Sequence, residues 1–280
     1  MNLINWILNI ACVFLWIDWR SGRTGRPQSV LSIASALRST ARDSTRGLGS
    51  IAALLAILLV RPFFYYSIGS AVNWTGSLNF LAIAIPWRSD LLSRMFLFST
   101  LSFAISLAIY YSWLLLLAAI NRPAGTAAAE EVMHRFIRGQ LGILYRIPWW
   151  IKLLLPSFVA AVSWMALTIL LVDLDLLPAT QSSRALRGQA GAFALAAVLS
   201  WKWLLIVIFL VHLMNLYVYL GTHPIWPYLS ETARKLLLPL SFVRIGKFDL
   251  SPVIGIAVVF LTCDWVIKPL VIDIFRRNIV

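Results

Sequence analysis

Long apolar stretches dominate the chain, separated by shorter polar ones. Six stretches approach the ~20 predominantly apolar helical residues that cross a bilayer core. They lie at about 4–19, 48–68, 92–120, 149–172, 190–220 and 252–272. The first is short and the third and fifth are long, so tilt or protrusion is expected. A further run from Leu78 to Trp87 is too short to span, and Trp74 and Trp87 suit a segment lying at the interface. The pattern predicts an all-α, polytopic membrane protein of about six transmembrane helices.

Three connecting segments carry a second pattern. In the first, Val30, Ile33, Ala34, Leu37 and Ala41 recur at helical spacing, with Arg38 and Arg42 on the opposite face. In the third, Met133, Phe136, Ile137, Leu141 and Leu144 do so beside Arg135 and Arg138; in the fifth, Leu229, Ala233, Leu236, Leu237 and Leu240 do so, with Glu231, Arg234 and Lys235 off the stripe. An apolar stripe opposite a basic face lies in the plane of the interface and attracts anionic headgroups. The same stripe also suits packing on the protein's own helices, because periodicity reports burial and not what covers it. A spanning helix, an interfacial helix and a returning helix thus repeat three times, over 1–90, 91–188 and 189–280.

Composition agrees. Hydrophobic residues make up 60% of the chain and charged residues 12%, against about 25% charged in soluble domains. The net charge of +13 sits beside apolar runs, where it orients helices and draws anionic lipid rather than nucleic acid. Arginine and lysine concentrate in the first, third and fifth loops, whereas the second and fourth hold chiefly Arg88, Arg184 and Arg187. The odd loops are therefore expected in the cytoplasm and both termini outside, although Arg276 and Arg277 count the other way. No basic stretch precedes the first apolar run, and Asp18-Trp19-Arg20 follows it where small residues would mark a cleavage site, so a retained helix is expected.

The most specific stretch runs from His223-Pro224-Ile225-Trp226-Pro227-Tyr228 through Ala233-Arg234-Lys235-Leu236-Leu237-Leu238-Pro239 to Ile245-Gly246-Lys247-Phe248-Asp249-Leu250-Ser251-Pro252. Ser251 reads as a helix N-cap, Pro252 as the first helical residue, and Asp249 as negative charge near the positive end of the helix dipole. Gly246 permits the positive φ of a chain reversal. Alternatively, Asp249 with Arg234 or Arg244 forms a docking surface. Over about residues 200–272 this stretch resembles the hairpin of the YggT family, also called YlmG or Ycf19, small membrane proteins of bacteria and plastids. It departs from the family in its single glycine and in Arg244, where proline is frequent. Residues 110–170 resemble a degenerate copy lacking Asp-Leu-Ser. The resemblance implies scaffold and assembly roles without an assigned reaction, and residence in a bacterial inner membrane.

Catalytic signatures are absent: neither His-Glu-x-x-His, Gly-x-Ser-x-Gly nor a phosphate loop occurs. Asp173-Leu174-Asp175 has the form of a metal-binding pair without further oxygen ligands. Of His134, His212 and His223, only His212 falls within a span, which argues against a two-histidine haem and favours a polar partner such as Asn215 or a facing helix. Cys12 and Cys263 lie in apolar runs and read as packing residues. No cofactor, metal or enzymatic activity is expected. Lys202 and Asp264 fall at similar depth on the fifth and sixth spans and are expected to form an intramembrane ion pair acting as a clamp. Lys268, four residues after Asp264, is the local competitor. The functional expectation is a non-enzymatic membrane scaffold that engages anionic lipid and another membrane protein or complex. A small-solute or ion transporter is the alternative.

Overall fold

In lipid each backbone N–H and C=O must find its partner within the protein, and a helix satisfies that condition locally. The computed structural model follows this rule throughout. It describes residues 2–23, 46–72, 75–88, 90–121, 128–173, 182–221, 223–240, 244–245 and 248–278. The helices are α1 (Asn2–Arg23), α2 (Arg46–Val72), α3 (Leu92–Ile120), α4 (Ala128–Leu141), α5 (Trp149–Asp173), α6 (Ser183–Val198), α7 (Trp201–Tyr217), α8 (Ile225–Leu237), α9 (Ser251–Phe260) and α10 (Lys268–Arg277). A π-helical segment, Leu261–Ile267, joins α9 to α10. Two short hairpins, β1 (Thr75–Phe80) with β2 (Ile83–Arg88) and antiparallel β3 (Arg244–Ile245) with β4 (Phe248–Asp249), and two short 3-10 helices, Gly142–Arg146 and Leu238–Leu240, complete the described elements.

Six helical stretches are long and apolar enough to cross a bilayer: Leu3–Ser21, Gly47–Gly69, Leu92–Ile120, Trp149–Asp173, Ser183–Tyr217 and Ser251–Arg277. Their outward faces carry large apolar side chains, among them Phe64, Phe158, Ile169 and Trp265, the last 78% exposed. Water would not tolerate so many exposed apolar groups, whereas lipid tails match them. The protein is a multi-pass, all-α membrane protein.

The fifth stretch begins earlier than its apolar run and is not one helix. At Leu199 and Ser200 the ladder tightens to three-residue steps, Leu199 N–H to Ala196 O and Ser200 N–H to Ala197 O. The sixth is interrupted in the opposite sense, widening so that Lys268 N–H reaches Cys263 O. Pro269 explains the widening, since it has no N–H for the preceding turn and its ring crowds the carbonyl four residues back.

The run from Leu78 to Trp87, expected at the interface, is a β-hairpin. Leu78, Ile83, Ile85 and Trp87 are buried while Ala84 and Pro86 are exposed, the two-residue alternation of a strand. Its turn puts Leu81 at φ 60°, a left-handed conformation ordinarily given to glycine or asparagine.

The chain packs as two compact units. The first comprises Met1–Leu78, Ile85–Tyr110 and Arg138–Gly142; the second comprises Asn79–Ala84, Tyr111–Ile137 and Ile143–Val280. Within the first, Cys12, Leu54 and Phe103 form a core ringed by Trp16, Ile57 and Leu107. Tyr65 and Trp87 meet Phe98 at ring distances of 5.8 and 5.9 Å. Within the second, Trp164 stacks on Phe193 at 3.8 Å, with Phe275 edge-on to both.

Close approach in the second unit depends on Gly255. A Cβ there would stand 2.8 Å from Leu237 Cδ2 and 3.1 Å from Phe209 Cε2, so α9 meets α8 and α7 with no room for a side chain. Gly255→Leu should cost about 1–3 kcal/mol through overpacking and lower the Tm by several degrees in detergent, with Gly255→Ala costing less. Equal melting of wild type and Gly255→Leu would show that the approach is not needed.

Candidate functional site

Among the described residues, two networks of polar side chains inside the spans, one in each unit, sit where a helix is irregular. In the first unit the irregularity is Pro62 within α2. Proline offers no N–H to the carbonyl four residues earlier, Leu58 O. Ser99 Oγ, from α3, donates to that carbonyl at 3.0 Å. The same hydroxyl accepts from Arg61 Nε, and Arg61 Nη2 donates to Ser99 O. Arg61 Nη1 donates to Asn9 Oδ1 on α1 at 2.7 Å. Asn9 Nδ2 and Asn5 Nδ2 both donate to Ser102 Oγ, at 2.7 and 2.8 Å, and Tyr65 Oη donates to Asn5 Oδ1 at 3.1 Å. An arginine only donates, so it fixes which way the Asn9 amide points.

In the second unit the irregularities are the α6–α7 break and the π-helical segment. At the break, Ser200 Oγ is 3.0 Å from Ser112 Oγ, and Ser200 O accepts from Trp113 Nε1 at 2.6 Å. Trp201 Nε1 donates to Ser112 Oγ at 2.7 Å. Directly after the break, Lys202 Nζ lies 2.7 Å from Asp264 Oδ2 and 4.1 Å over the ring of Phe260. The Lys202 side chain is 12% exposed and that of Asp264 35%, so the pair is largely removed from its surroundings. Asp264 lies within the π-helical segment and bonds Lys202 on α7 rather than Lys268 on its own helix.

A third polar junction anchors α8. Asn121 Nδ2 donates to Thr232 Oγ1 at 2.6 Å, and Lys235 Nζ donates to Asn121 Oδ1 at 3.3 Å. Glu231 pairs with Arg234 at 2.8 Å and lies 3.8 Å from Lys235. His212 Nδ1 lies 2.7 Å from Ser230 Oγ, a partner on the facing helix α8 rather than Asn215.

Several expectations need correction. The larger part of the stripes of α4 and α8 packs on protein: Met133, Phe136, Ile137 and Leu141, and Ala233 and Leu237, are buried, while Leu144, Leu229, Leu236 and Leu240 are half-buried; the first stripe, from Val30 to Ala41, lies outside the described residues. Arg135 and Arg138 are exposed, and the Arg234 side chain is 72% exposed, whereas Lys235 is turned to Asn121 and Glu231. Ser251 is not the N-cap. Its backbone N–H and its hydroxyl both donate to Asp249 Oδ1, so the aspartate closes the start of α9, with Pro252 in the first turn. Leu250 is the N-cap residue, and the carboxylate just before it adds charge to acceptor strength at the positive end of the dipole. Arg244 stands opposite Asp249 in the β3–β4 register. Arg38, Arg42 and Gly246 lie outside the described residues, as does Asp175.

Length and hydropathy of the run 48–68 do not announce the first-unit network, but the sequence carries its signals: an arginine beside a proline in an apolar run, Asn5 and Asn9 one helical turn apart, and Ser99 and Ser102 likewise.

No protein-family model, no curated protein and no solved structure matches the chain. The geometry above therefore carries the functional argument alone.

The Lys202–Asp264 contact has a direct test. Removing one charge leaves the other uncompensated, which costs about 3–5 kcal/mol in a fully buried pair. Asp264→Asn should lower the Tm, and adding Lys202→Met should recover part of the loss. Strict additivity of the two substitutions would show that they do not act as a pair.

Proposed function

We propose that the chain is a non-enzymatic scaffold or assembly factor of the YggT type, resident in a bacterial inner membrane with both termini outside the cytoplasm. The observation that carries this reading is the mounting of α8. One face is sealed by Tyr228, Thr232, Ala233 and Leu237 and tied to Asn121, while Arg234, paired with Glu231 but 72% exposed, projects from the other. A basic side chain on a rigid helix is preorganised for a planar acidic group, and the arginine fork suits carboxylate and phosphate alike. Arg135, on α4 of the same unit, is exposed as well. The partner is then a membrane protein with an acidic cytoplasmic edge, assisted by anionic headgroups. The polar groups within the spans act, on this reading, as clamps that satisfy one another.

A second reading, a solute or ion transporter, draws on one observation. Two apposed spans are both interrupted, and the Lys202–Asp264 pair joins them near the interruptions. Transport pathways are built from such broken helices.

Three measurements separate these possibilities. A cysteine at Arg234 should resist an impermeant thiol reagent in intact cells while one at Ser183 reacts; the reverse pattern would invert the orientation. Mild-detergent extraction should bring down a defined membrane complex, and Arg135→Gln with Arg234→Gln should weaken its recovery several-fold. Ion or solute flux in liposomes above that of empty vesicles, abolished by Asp264→Asn, would instead establish the transporter.

A further inference from the structure

Arg61 is 3% exposed, and among the described residues every group that touches it is neutral: Asn9 Oδ1, Ser99 Oγ and Ser99 O. The described carboxylates of the first unit are engaged elsewhere, Asp18 by Ser50 and Asp90 by Arg94. A buried guanidinium without a counter-charge is costly, and hydrogen bonds to neutral acceptors stabilise it without cancelling its charge.

Counting donors sharpens the point. A guanidinium has five N–H groups; one each on Nε, Nη1 and Nη2 is engaged, leaving two. Asn5 and Asn9 each spend one amide N–H on Ser102 Oγ and keep another. Ser102 Oγ accepts twice, so its own proton points elsewhere. The network therefore has more donors than acceptors around one positive charge. What complements it is an anion.

We propose that Arg61, Asn9 and Ser102 form a binding site for a small monovalent anion of the chloride class. One negative charge matches the single uncompensated positive charge, and a monatomic ion accepts from N–H and O–H donors without demanding donors of its own. Depth separates it from a lipid phosphate. Arg61 stands eight residues from Gly69 at the nearer end of its span, about 12 Å at the helical rise, below the headgroups. Access is from that same end, because Asn5 lies one turn from Asn9 toward the start of α1 and is half-buried. The site is independent of the scaffold reading and goes beyond it.

The test uses full-length protein in an uncharged detergent, melted in sodium chloride and in sodium gluconate at equal ionic strength. Chloride should raise the Tm, by about 5 °C at roughly a hundred times its dissociation constant and further with the logarithm of its concentration, and gluconate should not. Asn9→Asp, which sets a carboxylate where the amide oxygen now lies 2.7 Å from Arg61 Nη1, should raise the Tm in gluconate and remove the response to chloride. Radioactive chloride should bind wild type saturably, be displaced by bromide, and fail to bind Asn9→Asp. Arg61→Gln should also lose the response; if it does not fold, Asn9→Asp and the binding measurement still decide. Equal melting in the two salts without saturable chloride binding would overturn the proposal, as would an unaltered chloride response in Asn9→Asp. Protection by phosphatidylglycerol with none from chloride would overturn it too.

Discussion

An unpaired backbone carbonyl inside a bilayer has no water to turn to, and the architecture depends on how this chain answers that constraint. Pro62 deprives Leu58 O of its helical donor, and Ser99 replaces it from the neighbouring helix α3. That hydroxyl, together with its own carbonyl, then holds Arg61. One backbone defect thus positions a buried cation, and the cation orients Asn9, which reaches Ser102. Regular helix would have left none of these groups a reason to converge.

The second unit repeats the logic with different parts. The tightened turn at Leu199 and Ser200 meets Ser112 and Trp113 of α3, and the widened turn before Pro269 carries Asp264 to Lys202. Residues of α3 serve both places, Ser99 in one unit and Ser112 with Trp113 in the other. Interruptions of opposite sense, one tightened and one widened, shift side chains off the faces that an ideal helix would give them. The same shift accounts for Asp264 pairing across helices instead of with Lys268.

At the basic end of the second unit, neutral hydrogen bonds do the anchoring and charges are left outward. Asn121 and Thr232 tie α3 to α8, and Lys235 is drawn into that junction while Arg234 is not. Two adjacent basic residues therefore have different settings: Lys235 reaches Asn121 inside the junction, whereas Arg234 pairs with Glu231 at the exposed face. A count of charges along the loop treats them alike.

The amino-acid sequence by itself determined the spans and the class, because ~20 apolar residues in a row have one low-energy habitat and one backbone geometry within it. It also made Lys202 and Asp264 a natural pair, since depth follows from rise per residue and two isolated charges in apolar runs seek each other. Tertiary structure alone decided what covers the stripes of α4 and α8, for amphipathic spacing is the same whether lipid or protein lies against it. It decided that Leu250 rather than Ser251 is the N-cap of α9, with Asp249 accepting from the Ser251 N–H, an outcome that turns on local backbone geometry. The Leu78–Trp87 hairpin was hidden because a leucine occupies the turn position where glycine would announce one. Arg61 was hidden for a different reason: its partners come from α1 and α3, dozens of residues away, and only packing brings them together.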